Sequence, residues 1–168
     1  MAFRLTIEDP EEAVEIALLT NEHEQLARIC LGYDDQTGAV YSVFVALSSY
    51  PAHVGGCEII FDIVETVMED GQELIYAHND GTQTLRFLKP DHRKVALECI
   101  CTAIESLVEK VEPEVIYMMT VAENLPEKAL RKYDTICDTV RQLGYVAGRD
   151  SPFHGTQIWL MKRIPAEL

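Results

Sequence analysis

The chain has 168 residues, 48% apolar and 25% charged, with a formal net charge of −14. These figures fit a single globular domain, residues 1–168, long enough to bury a hydrophobic core. They exclude an acidic disordered coil, because the carboxylates alternate with Val, Ile, Leu and Phe, and they argue against direct binding to nucleic acid or an anionic membrane. No apolar run approaches the roughly 18 residues that a membrane-spanning helix needs. The opening Met1-Ala2-Phe3-Arg4 lacks the regions of a signal peptide. Five cysteines, an odd number, sit in apolar stretches and read as reduced thiols serving as small hydrophobes. A cytoplasmic location is the expectation.

The charge is lopsided. Residues 1–80 carry sixteen carboxylates and two basic side chains; the remaining 88 residues carry twelve of each. The excess falls in two runs of −7, residues 1–35 and 58–80. Such a field favours cationic partners.

In chain order, Phe3, Leu5 and Ile7 alternate with polar residues and predict a strand over 3–8. Pro10, Glu11 and Glu12 read as a helix start, with proline in the first turn and carboxylates at the positive end of the dipole. That helix is expected to run to about residue 20, with a second short helix over 22–32. Asp34 to Gly38 is a turn by composition. Strands are expected over 40–48, 57–67, 73–78 and 83–88, separated by Gly55-Gly56, Asp70-Gly71 and Asn79-Asp80-Gly81. The last separator is the strongest hairpin signal, since Asn, Asp and Gly tolerate positive φ. The period then changes. Pro90-Asp91 opens a helix to Val111 with Leu97, Ile100, Cys101, Ile104, Leu107 and Val108 on one stripe. Residues 115–121 form a continuous apolar run, expected to be a strand buried on both faces. A second long helix is expected from Pro126 to Leu143, stopped by Gly144. Residues 145–149 and 156–164 read as a closing strand pair. The fold class is therefore α+β: a mostly antiparallel sheet, N-terminal helices and two long C-terminal helices.

This order resembles the GNAT family of acyl-CoA N-acyltransferases. The local likeness lies in Val121 and Asn124 after the buried strand, in Leu143-Gly144-Tyr145 at the helix end, and in the terminal Ile158 to Arg163. The resemblance implies acetyl-CoA as cofactor, held by His92, Arg93, Lys94 and Asn124. It also implies that a tyrosine, here Tyr133, stands near the leaving thiolate. Two departures are plain. The family's glycine-rich pyrophosphate turn is replaced by Leu88 to Lys94, with no glycine, with Pro90 removing a donor and with Asp91 placing a negative charge near the helix start. The family's general-acid position, four residues before the Leu-Gly glycine, is Val140; Tyr133 lies seven residues further back on the same face, where core packing is its plainer role.

Other candidate chemistry competes with ordinary structure. Cys99-Ile100-Cys101 suggests a metal or redox pair, but helix neighbours two apart point about 200° away from each other, so core packing with Cys101 on the stripe is the simpler reading. The five histidines are scattered singly, and no metal site is expected. Glu58 and Asp62 share one strand face, with Glu65 on the other. A carboxylate facing a cleft can act as general base toward an amine; otherwise both belong to a solvated sheet face.

Three functional expectations follow. The first is a non-catalytic acidic interaction protein, of inhibitor, antitoxin, immunity or DNA-mimic type, which binds a basic protein through Glu11, Glu12, Glu15, Glu58, Asp62, Glu69 and Asp70 and needs no cofactor. The second is a divergent N-acyltransferase acting on a cationic amine, with Glu58, Asp62 and Tyr133 as catalytic candidates. The third is a structural subunit of a homo-oligomer, such as a homodimer.

Overall fold

The computed structural model describes residues 3–7, 16–21, 23–50, 53–78, 81–120 and 122–167. Among these the chain is α+β, with nine strands in one mixed, mostly antiparallel sheet and three helices.

The described N-terminal residues are strand, not helix. β1 (Phe3–Leu5) and β2 (Ile16–Thr20) both run antiparallel to β3 (Glu24–Asp34). Because β4 (Val40–Ser49) occupies the other edge of β3, β1 and β2 lie in line along one edge. The expected helix over 22–32 is thus β3, and the end of the helix expected to reach residue 20 is β2; the proposed helix start, residues 10–15, lies outside the described residues. Ala27, Ile29 and Leu31 alternate and are fully buried, because α2 packs over this face of β3 and removes it from water. A bulge between Cys30 and Gly32 bends β3 where β1 meets it. A Cβ on Gly32 would stand 2.0 Å from the Arg4 carbonyl oxygen, so only glycine lets β1 approach.

β4 pairs with β5 (Gly56–Glu69), and β5 turns back into β6 (Gln72–His78). The turn is Asp70-Gly71, with φ of 49° and 78°, the two positive values that a tight hairpin with the right strand twist requires. The hairpin expected at Asn79-Asp80-Gly81 does not lead into a strand over 83–88. From Gly81 the chain forms a single helical turn, α1 (Gly81–Thr84). Phe87 and Leu88 are buried while Leu85 is exposed, so no alternating face exists there. Phe87 instead stacks on Tyr41 at 4.4 Å.

α2 (Pro90–Val111) is the one long central helix, 22 residues against 16 in α3 (Glu127–Gln142). Lys89 occupies its N-cap position, Pro90 is in the first turn, and Glu112 closes it in the left-handed conformation. Cys99 is fully buried and Cys101 half-buried, the reverse of the stripe read from periodicity. β7 (Val115–Met119), β8 (Tyr145–Arg149) and β9 (Ile158–Arg163) complete the sheet in the order β1-β3-β4-β5-β7-β9-β8. Among the described residues, β5 with β7 is the only parallel pair. α2 packs on β3, β4 and α3; α3 packs on β8 and β9. The core lies between these helices and one sheet face, with Tyr41, Val43, Ile116 and Trp159 from the sheet meeting Ile104, Leu107 and Ile136.

Candidate functional site

The sheet is split along β5. Gly56, Cys57 and Glu58 pair with Val115, Ile116 and Tyr117 of β7, whereas Ile63 to Glu69 pair with β6. Between them, residues 59–62 keep β4 on one edge and, among the described residues, have no strand on the other. A cavity of about 280 Å³ opens at this gap. Phe61, Asp62 and Ile63 all line it. Successive strand side chains point to opposite faces, so the cavity meets β5 at its edge and not on one face.

The helix side of the cavity is cationic. Arg93 and Lys94 project from the first turns of α2, and Lys132 projects from α3. The Lys132 ammonium lies 5.7 Å from the Phe61 ring centre and 5.2 Å from that of Tyr133. Burial, then the Arg93 charge, lowers its pKa. On the strand side, burial raises the pKa of Asp62. Asp62 makes no ion pair or hydrogen bond with another described residue. Leu88, Leu97 and Ile100 supply apolar wall, and His78, whose Nε2 is 2.9 Å from Glu65 Oε2, stands at the β6 end. The arrangement is a small apolar slot with cations on one side, a carboxylate on the other, and an unpaired strand edge between them.

Of the residues singled out from sequence, the structure gathers Asp62, Arg93 and Lys94. Glu58 shares the Asp62 face but lies about 13 Å along the strand. Its register partner is Tyr117, which stacks on Tyr50 at 4.5 Å, and burial raises its pKa as well. Tyr133 is buried, stacks on Trp159 at 4.5 Å and is absent from the cavity wall. His92 lies apart, its ring edge on Phe3 and its buried Nδ1 without a hydrogen bond. It belongs to a separate recess at the start of α2 with Arg4, Arg86 and Lys89. Asn124 is a loop-closing residue with φ of 54°, and its backbone N–H donates to the Gly155 carbonyl. Glu11, Glu12 and Glu15 lie outside the described residues. Glu69 and Asp70 sit at the hairpin tip; Glu69 lies eleven strand steps beyond Glu58, about 36 Å. The acidic candidates that are described therefore do not converge on one spot. Lys132 and His78 were missed, because neither stands in a spacing that marks a site; only the fold brings them to the gap.

The described residues contain no group of three His, Cys, Asp or Glu side chains placed to hold a metal ion. Burial pushes the Cys99 and Cys137 thiols up to about 11, far from thiolate reactivity at neutral pH. Among the described residues no helix is long and apolar enough to cross a membrane. Comparison of the chain with protein-family models, with curated proteins and with solved structures gives no match.

Proposed function

We propose that the chain binds an extended anionic acyl carrier of the acyl-CoA type in the gap between β5, β6 and β7, and works as a divergent N-acyltransferase on a cationic amine. The observation that carries this reading is the freed edge of β5 at residues 59–62, opening into the cavity flanked by Arg93, Lys94 and Lys132. An unpaired strand edge offers backbone donors and acceptors to an extended ligand that carries amides. Cations at the mouth of the slot attract phosphates. The order from β3 onward (antiparallel strands, long helix, parallel strand, helix, strand pair) also agrees with the GNAT resemblance.

In this reading the acceptor amine approaches from the Asp62 side. Asp62, held at raised pKa, takes a proton from the amine as its nitrogen attacks the thioester carbonyl carbon. The carbon–sulfur bond breaks, and Lys132 donates a proton to the departing thiolate. Titration calorimetry with acetyl-CoA tests the binding step. Micromolar affinity is expected, weakened about tenfold by Arg93→Ala, the scale of one lost charged contact. No heat at millimolar acetyl-CoA overturns the reading.

A second reading, a non-catalytic acidic protein that binds a basic protein, is favoured by a different observation. Glu58 and Asp62 are half-buried and desolvated, yet neither has an ion-pair partner among the described residues. A basic surface laid over them would supply the missing charge. Its complex, isolated from native lysate, should weaken steeply with added salt and with Glu58→Lys and Asp62→Lys. A complex indifferent to salt sinks it.

A further inference from the structure

The two-residue turn fixes which backbone groups of β6 are free. Glu69 and Gln72 flank it and exchange hydrogen bonds, as do Val67 with Leu74 and Glu65 with Tyr76. The alternate pairs, Met68 with Glu73, Thr66 with Ile75 and Val64 with Ala77, do not. The N–H and C=O groups of Glu73, Ile75 and Ala77 therefore point away from β5, toward an edge that no described strand occupies. The arm also projects: β4 leaves β5 at Thr66, so among the described residues no strand pairs with the outer half of the hairpin on the β4 side.

This edge lacks the usual protections. Met68 is 68% exposed, Ile75 62% and Tyr76 49%. Met68 and Ile75 are diagonal neighbours on one face of the arm. Residues 72–78 contain no lysine, arginine or proline, and their pairing with β5 has no bulge. The edge strand β8 differs: there the Arg141 Nη2 donates to the Ala147 carbonyl at 2.7 Å and blunts the edge. A flat apolar edge left bare invites pairing with another chain. Its charge says which chain. Glu69, Asp70 and Glu73 form no ion pair among the described residues, so a second acidic arm would be repelled and a basic segment attracted.

We infer that β6 is a docking edge to which an extended, basic segment of another protein adds as a further strand. The inference rests on the second reading and adds a contact at the β6 edge to the one over Glu58 and Asp62 on β5. The test uses the full chain, labelled with ¹⁵N, and a synthetic decapeptide of alternating lysine and valine as probe. Amide exchange at Glu73, Ile75 and Ala77 should slow about tenfold or more on addition of peptide, because free amides become bonded. Exchange at Gln72, Leu74 and Tyr76, already in the ladder, should change little. Ile75→Pro removes only an outward N–H, a position where an edge strand tolerates proline. It should abolish the protection at Glu73 and Ala77 while the Leu74 and Tyr76 amides stay slow, which shows that the arm is still folded. Glu73→Lys should weaken the effect without touching the outward N–H groups. Uniform protection, or none at millimolar peptide, overturns the docking edge. So does protection of the same three amides in a dimer without peptide, which assigns the edge to a second copy. The second reading itself is judged separately, by the salt dependence of the isolated complex.

Discussion

Asp62 is the residue on which both readings converge, and its ionisation gives a signature independent of any ligand. Burial raises its carboxyl pKa in the folded chain above the ordinary aspartate value. The fold therefore disfavours the charged form. Stability contributed by the protonated acid is fully present below the unfolded value and is lost as pH rises through the folded value. Asp62→Asn keeps the shape and cannot ionise. The variant should match the parent at about pH 3 and exceed it at pH 7, by roughly 1 kcal/mol or less because the group is half exposed. Thermal unfolding at the two pH values reads this directly. Equal stability at both would mean that Asp62 pays no net desolvation cost in the folded chain. The same substitution should remove turnover if the carboxylate is the base, so stability and activity move in opposite directions at a functional carboxylate.

At the scale of elements, the strands from Val40 to His78 and both C-terminal helices were legible because one physical signal dominated each. β4 is dense in β-branched and aromatic residues (Val40, Tyr41, Val43, Phe44 and Val45), and α2 carries its stripe for six turns. The N-terminal strands were hidden because β3 is apolar on both faces. Ala27, Ile29 and Leu31 face the core, but Leu26 and Cys30 interleave with them, and the bulge at Gly32 shifts the phase. The two-fold period is erased in just the segment where it was needed. Residues 83–88 failed the other way: Leu85 and Phe87 alternate on paper, yet only Phe87 is buried, stacked on Tyr41. The site was half legible. A charged run at the start of α2 and two carboxylates on one strand could be seen from spacing, and Asp62, Arg93 and Lys94 do meet. The gap that unites them could not, because it depends on β5 exchanging β7 for β6 partway along its length. Lys132 enters the cavity only through the way α3 packs beside α2.

At the scale of the whole molecule, a net charge of −14 on 168 residues is a store of self-repulsion, held mostly in the first 80 positions. Folding confines that charge to a smaller volume, and salt screens it over a Debye length of about 10 Å at 0.1 M and about 3 Å at 1 M. Raising sodium chloride from low to molar concentration at pH 7 should therefore raise the unfolding midpoint by about 2–4 °C, the scale expected for roughly 1 kcal/mol in a domain of this size. The isoelectric point, about 4.6, supplies the control. There the net repulsion is gone, and the salt increment should vanish. An increment of equal size at both pH values would show that the ions act on apolar hydration and not on charge. A basic partner relieves the same repulsion more efficiently than salt, because it binds only the folded chain and so stabilises it by mass action. The lysine-rich peptide that protects the β6 edge should accordingly raise the midpoint at low salt, and lose that effect as sodium chloride screens both chains.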